Sequence, residues 1–320
     1  MPDVISLGEV IVDIFANPIN VSLKESTNFT AALGGAPANV AVASARLGVH
    51  TGFIGKAGAD PFGDRFIQLF HKEGVDTAYF QQIHGSPTSV AFVAASGPNV
   101  RDFIIYRGAD AQLKPEDIDP AYIASAKLFL YGSVTLTGDS KFAVRRAIEL
   151  ANQSGVLVAY DANLRAALWP DLEAARTGIL KGLAGVDILK ANETELQLLA
   201  GTSDLSSGTR WLLKLGPKLC LITLGPEGAY FNNRLAEGFV PGFQVDAVDA
   251  TGCGDAFFAG LVNGLLGTSL AIEALDETFL RQLVRFANAV GALTATRQGA
   301  VAALPTRAMV DAFLSDQPDE

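Results

Sequence analysis

The sequence predicts an α/β protein, a central and mostly parallel sheet flanked by helices, with a small separate β-sheet beside it. Three observations lead there. Apolar strand candidates at 127–131, 156–160, 186–189 and 219–224 alternate with helical patterns at 141–151, 171–183 and 193–200, the rhythm of parallel strands joined by crossover helices. Each of those strands runs into a polar loop: Gly132-Ser133, then Asp161-Ala162-Asn163-Leu164-Arg165, then Asn192-Glu193-Thr194-Glu195, then Gly225-Pro226-Glu227-Gly228. In open α/β sheets such loops converge on one crevice at the carboxyl ends of the strands. Finally, the segments 15–33 and 88–113 interrupt this rhythm with polar, β-rich composition, as a small appended sheet would.

Taken in order, Val4 to Leu7 is a short apolar run, and Val10, Val12 and Ile14 then alternate. That alternation places Glu9, Ile11 and Asp13 on the other face, so Asp13 is a charge on a strand, either functional or a surface charge on an edge. After the polar stretch, Gly34-Gly35-Ala36-Pro37-Ala38-Asn39 introduces a helix that runs to about Leu47 and stops at Gly48. Ser89–Val93 and Asp102–Tyr106 read as a hairpin around Gly97-Pro98-Asn99. The expected division is therefore 1–14, 34–87 and 114–320 for the α/β part, and 15–33 with 88–113 for the small sheet, with Ser315–Glu320 as a loose tail.

Composition narrows the function. A chain of 320 residues, 49% hydrophobic and 18% charged, buries a large core. Its net charge of −10 disfavours a nucleic-acid partner. No apolar stretch approaches the ~20 residues of a membrane span, and acidic residues interrupt the N-terminal apolar run. Cys220 and Cys253 fit neither a disulfide framework nor a zinc site, and the cytoplasm is the expected compartment. His50, His71 and His84 have no ligand-like spacing.

The most informative run is Asp249-Ala250-Thr251-Gly252-Cys253-Gly254-Asp255, which breaks into apolar residues at helical spacing (257, 258, 261, 262, 265, 266). A helix is expected to start at Asp255. Glycines just before it allow a tight turn whose unpaired N–H groups point at one spot, where the helix dipole favours an anion such as phosphate. A carboxylate there would repel phosphate but suits taking a proton from a hydroxyl that attacks it. The alternative is an ordinary turn with Asp255 as N-cap. Neither the G-x-x-x-x-G-K-[ST] nor the G-x-G-x-x-G nucleotide motif is present, which weakens P-loop and dehydrogenase readings.

These residues resemble the ribokinase-like (PfkB) family of sugar kinases, with Gly34-Gly35-x-x-x-Asn39 as its early signature and Asp249 to Asp255 as its late one. The similarity extends from Gly8-Glu9 and Asp13, through Tyr106-Arg107-Gly108-Ala109-Asp110, to Phe286–Ala292, and within the family it is nearest to fructokinases. The resemblance implies a Rossmann-like ribokinase fold with a β lid, and ATP and Mg²⁺ as cofactors. It implies Asp255 as base and the amides of Gly252, Cys253 and Gly254 as anion hole. Asp13, Gly34, Gly35, Asn39, Arg107 and Arg165 would meet the sugar, though Arg165 has the alternative of pairing with Asp161. Asn192, Thr223, Gly225, Gly228 and Asn288 would line the nucleotide. Glu195 would help to place Mg²⁺ through water, with a helix-capping pair of Asn192 and Glu195 as the alternative. Asp249 and the Thr251 carbonyl would hold a monovalent cation, K⁺.

The chain departs from the late signature at Ala250, where a threonine is usual, and at Cys253, where an alanine is usual. Both changes keep the backbone donors. Beside a helix N-terminus, the Cys253 thiol is expected to have a lowered pKa and to react preferentially with alkylating agents. The implied reaction is phosphorylation of a primary hydroxyl, fructose to fructose 6-phosphate. 2-Keto-3-deoxygluconate is the alternative substrate, on the cations Arg107 and Arg165, and ribose or a nucleoside ranks behind it. A sugar-sensing module on an inactive kinase scaffold is a rival of another class. A lid edge strand also makes a homodimer an expectation.

Overall fold

The computed structural model describes residues 1–17, 21–97 and 100–317. In chain order its strands are β1 (Val4–Leu7), β2 (Ile11–Asn17), β3 (Asn28–Gly34), β4 (Thr51–Gly58), β5 (Asp76–Ile83), β6 (Ser89–Gly97), β7 (Val100–Tyr106), β8 (Leu128–Gly132), β9 (Leu157–Asp161), β10 (Ile188–Asn192), β11 (Leu219–Thr223), β12 (Gly228–Asn232) and β13 (Glu237–Pro241). The large sheet has the order β13-β12-β11-β10-β9-β8-β1-β4-β5. It is parallel from β11 to β5, and β12 lies antiparallel between β11 and β13. The carboxyl ends of β1, β8, β9, β10 and β11 therefore share one edge.

Both faces of the central strands β1, β8, β9, β10 and β11 are buried, so these read as mostly apolar runs whose alternate residues feed two cores. Val4, Leu128, Leu130, Ile188 and Leu221 face the first core, with the helices Ala36–Arg46, Cys253–Leu266 and Glu277–Ala295. Ile5, Leu7, Phe129, Tyr131, Tyr160 and Ile222 face the second, with the helices Ser140–Gln153, Leu172–Gly182 and Leu205–Leu213. Small residues let the first group approach closely: a Cβ on Gly260 would lie 2.9 Å from Val290 Cγ2 and 3.0 Å from Ala287 Cα.

The small sheet has the order β3-β2-β6-β7. β2 pairs parallel with β6 and antiparallel with β3, and β6 and β7 form the expected hairpin. Its turn, at Pro98 and Asn99, lies outside the described residues. The small sheet takes up Ile11 to Ile14, which the sequence reading gave to the α/β part, because Ile11 already pairs with Gly34 and Ser89. β4, β5, β12 and β13 were not anticipated. In β4, three glycines and Lys56 mask a strand that is buried throughout. The expected tail begins with the last residue of the helix Arg307–Ser315, and residues 318–320 lie outside the described ones.

Candidate active site

The late run folds into the anticipated turn and helix, but the helix begins at Cys253, two residues before Asp255. Gly252 is its N-cap, in the left-handed region at φ 79°. A Cβ there would also lie 3.0 Å from the Ala300 Cβ, so glycine is required twice over. Asp255 thus occupies the third helical position, directly after Gly254, and is not the cap. Of the three amides expected to form the anion hole, that of Cys253 donates to the Ala250 carbonyl at 3.3 Å. Upstream, the Asp249 carboxylate accepts hydrogen bonds from the Thr251 amide (2.9 Å) and hydroxyl (2.7 Å), and from the Gly299 amide (2.9 Å). These bonds fasten the loop to the turn before Ala300 without the hydroxyl that Ala250 lacks.

Asp255 is 8% exposed, and its Oδ2 accepts a 2.7 Å hydrogen bond from Asn39 Nδ2. Asn39 comes from the helix Ala36–Arg46, whose N-cap Gly35 has φ 102° and passes so close to Glu9 that a Cβ would lie 2.5 Å from its carbonyl oxygen. Burial, then the like charge of Asp161, push the Asp255 carboxyl up to about 6 against the opposing pull of Asn39, Lys190 and Arg165. Asp13 rises to about 7 through burial, opposed by Arg165 and reinforced by Asp255. A Cβ on Gly34 would lie 2.3 Å from Asp13 Oδ2, so the absence of a side chain at Gly34 makes room for this carboxylate. Asn39 Oδ1 is buried with no partner among the described residues. Such an orphaned acceptor suits a ligand hydroxyl.

The two arginines differ. Arg107 is engaged by protein partners: Nε donates to Asp110 (2.7 Å), Nη1 donates to the Val134 carbonyl (3.1 Å) and Thr137 Oγ1 (2.9 Å), and Nη2 lies 2.6 Å from Asp110 Oδ2 as an ion pair but makes no hydrogen bond among the described residues. It braces the end of β7. Arg165 does not pair with Asp161; its Nη1 donates to Asn163 Oδ1 at 2.5 Å, and its charge acts on Glu9, Asp13 and Asp255.

At the start of the Cys253 helix lies a cavity of about 440 Å³. Its walls include Asn192, Thr223, Gly225, Gly228 and Asn288, with Cys253 and Gly254 at the helix end. Gly225 and Gly228 both have positive φ, and a Cβ on Gly228 would lie 2.1 Å from the Val240 carbonyl oxygen. Asn288 Nδ2 donates to the carbonyls of Val240 (3.2 Å) and Pro241 (3.0 Å), holding the wall formed by residues 242–247. That wall, with Phe243 and Val245, was not foreseen, since an irregular connection carries no periodic signal. Asn192 and Glu195 form the capping box: Glu195 accepts from the Asn192 amide (2.8 Å) and the Leu164 amide (2.6 Å), while Asn192 accepts from the Glu195 amide (2.8 Å). Burial first, then Asp161, raise the Glu195 carboxyl, against the pull of Lys190.

One expectation changes, and one residue is new. Cys253 has its thiol pushed up to about 11, by burial and then by the charges of Asp249 and Asp255, which outweigh the helix end. Lys190, unremarked in the sequence, lies in the middle of β10 and donates to both oxygens of Asp161 at 3.1 Å. The signal was a charge inside an apolar run, Ile188-Leu189-Lys190-Ala191.

Comparison with known proteins accords with this geometry. The chain is 41% identical over 320 residues to probable fructokinase-3 of Arabidopsis thaliana, covering 98% of this chain and 92% of that one. A fructokinase from Xylella fastidiosa with bound ATP superposes with a TM-score of 0.90 at 32% identity, covering all of both chains. A doubly substituted fructokinase from Vibrio cholerae, with fructose, ADP and potassium ion, gives 0.86 at 30% identity and 98% coverage of each. The pfkB family carbohydrate kinase pattern matches residues 1–307. With its helix-start glycines, buried Asp255 and Asn39 set in a large parallel sheet beside a small β-sheet, the chain belongs to the pfkB family of carbohydrate kinases.

Proposed function

We propose that the chain transfers the γ-phosphoryl group of ATP to the primary hydroxyl of fructose, giving fructose 6-phosphate, in the cytoplasm. One observation carries this reading: the buried Asp255 carboxylate, held by Asn39 and raising the pKa of Asp13 by its charge, directly follows Cys253 and Gly254, which line the cavity. With its pKa up to about 6, Asp255 is ionised at neutral pH and still basic enough to receive the hydroxyl proton during attack. A base so placed contributes ~10²–10⁴-fold. The amides at the helix start would take the charge of the phosphoryl oxygens, each such donor being worth roughly 10²–10³-fold. Asp13 and the free Asn39 Oδ1 would accept from sugar hydroxyls, and Gly34 and Gly35 leave the backbone open to the ring.

Magnesium fits as an ion that arrives on the nucleotide phosphates and touches the protein through water. Among the described residues no three His, Cys, Asp or Glu side chains cluster as a metal site, and both Glu195 oxygens already accept backbone amides. When bound, it would neutralise phosphate charge. A monovalent cation near Asp249 and Thr251 would rely on backbone carbonyls, because both Asp249 oxygens accept bonds from Thr251 and Gly299. No described helix is long and apolar enough to cross a membrane. A homodimer through the small sheet belongs to the same reading, since Phe29, Ile104 and Tyr106 are 41%, 46% and 61% exposed around Phe92. Sedimentation as a monomer at micromolar concentration would remove it.

The sugar-acid alternative leans on two cations. Arg107 is ion-paired with Asp110, so Arg165 is the less engaged cation to meet a substrate carboxylate. The test is ADP release with fructose, glucose, ribose and 2-keto-3-deoxygluconate, followed by location of the phosphate by NMR. Fructose is expected to give the highest kcat/KM, with phosphate on O6. Preference for the acid or a pentose overturns the fructose assignment, and tight nucleotide binding without any turnover overturns catalysis.

A further inference from the structure

Lys190 has no place in the scheme above, yet its setting is unusual. β10 runs between β9 and β11, and its residues Ile188, Leu189 and Ala191 are wholly buried. A lysine there, itself 6% exposed, must lose its hydration. Its register partner on β9 is Asp161. A buried ion pair of this kind is no more stabilising than an apolar pair of the same volume, so stability alone does not account for it. Lys190 is bound to both Asp161 oxygens at 3.1 Å, longer than the ~2.7–2.9 Å of a tight charge-assisted bond.

An ammonium has three donors, and Asp161 is the sole hydrogen-bond acceptor of Lys190 among the described residues. The Nζ atom faces the second residue of the Cys253 helix: a Cβ on Gly254 would lie only 3.0 Å from it, the nearest neighbour that such an atom would meet. Gly254 also forms part of the cavity wall at the helix start. The glycine in the late signature thus leaves an opening between a buried ammonium and the anion hole. Lys190 keeps its proton there: burial works against the charge, but Asp161, Glu195 and Asp255 together hold it above the ordinary lysine value.

We propose that Lys190 is a further catalytic residue, an ammonium held by Asp161 whose remaining N–H donates to an oxygen of the γ-phosphoryl group as that group passes from ATP to the acceptor. In this step the bond from the acceptor oxygen to the γ-phosphorus forms while the bond from that phosphorus to the β,γ-bridging oxygen breaks. The bridging oxygen keeps the electron pair and leaves on ADP, the hydroxyl proton passes to Asp255, and Lys190 keeps its own protons. The inference rests on the phosphoryl-transfer reading, though not on the identity of the sugar. It also assigns Asp161 as a positioning residue that acts through Lys190.

The experiment is calorimetric binding of ADP and of β,γ-imido-ATP, each with Mg²⁺, to wild type and Lys190→Met, alongside steady-state kinetics. Lys190→Met should weaken the imido-ATP complex by ~10-fold or more while ADP affinity changes less than ~3-fold, and kcat should fall by ~10²–10³-fold with the sugar KM nearly unchanged. Equal weakening of both nucleotides, or of neither, overturns the proposal. If Lys190→Met does not fold because Asp161 is left unpaired, Lys190→Met combined with Asp161→Leu restores an apolar pair, and the same ratio decides. Wild type that binds neither nucleotide would instead overturn the kinase reading itself.

Discussion

Asn39 Nδ2 donates to Asp255 Oδ2 at 2.7 Å across 216 positions of sequence, joining the first turn of one helix to the first turn of another. The bond favours the ionised carboxylate and opposes the effect of burial. Asp255→Asn is therefore expected to lower kcat by at least ~10²–10⁴-fold, the usual contribution of a general base. In wild type, kcat/KM should rise with pH through an acid limb near 6, the value of the raised carboxyl. Asn39→Ala removes a lowering influence, so that limb should move upward. A pH–rate profile of both variants checks this.

Glu9 is 2% exposed, with Oε1 accepting the Ala36 amide at 3.2 Å and Oε2 unpartnered among the described residues. Burial raises its carboxyl from 4.5 to about 7. The folded state thus binds this proton more tightly than the unfolded chain. The resulting stability is complete below pH 4.5 and is lost as pH rises through about 7. At 1.36 kcal/mol per pKa unit the loss is roughly 3 kcal/mol. Glu9→Gln keeps the Ala36 bond and should leave denaturant stability higher than wild type at pH 8, with no gain at pH 4.

Gly252→Ala places a methyl group 3.0 Å from Ala300 in a backbone of φ 79°. The left-handed conformation alone costs roughly 1–2 kcal/mol. Thermal unfolding should show at least that loss. Nucleotide affinity should fall with it, because the strain disturbs the amides proposed to face the phosphates.

The high pKa of Cys253, about 11, makes its thiolate scarce at neutral pH. Iodoacetamide at pH 7.5 should modify it more slowly than it modifies free cysteine, with or without nucleotide. Cys253→Ala should retain activity near wild type, since the thiol has no part in the proposed reaction. Mass-spectrometric labelling rates test the first statement and a turnover assay the second.

The sequence exposed those parts of the molecule that repeat or punctuate. The apolar runs of β8 to β11, the loops after them and the glycines at 252 and 254 are one-dimensional signals, because strand burial and turn geometry impose local composition. β4 stayed hidden, since its glycines are there for close approach: a Cβ on Gly52 would strike the Tyr122 hydroxyl at 2.0 Å and one on Gly55 the Gly8 carbonyl at 2.7 Å. The assignment of Ile11 to the small sheet depends on pairing with residues 34 and 89, which no local window contains. For the same reason the bonds of Arg107 to Val134 and Thr137 could not be read from its neighbours in sequence. Cys253 misled because a helix start lowers a thiol pKa in isolation, whereas burial and two carboxylates decide it here.

The three bonds that Asp249 receives from Thr251 and Gly299 order the glycine turn in the folded chain. In the proposed reaction a nucleotide would meet donors that are already aligned, and the entropy of immobilising that loop would not weaken its affinity. Loss of this carboxylate would shift the ordering from the folding reaction to each binding event, leaving the contacts in the complex unaltered while the complex forms more reluctantly.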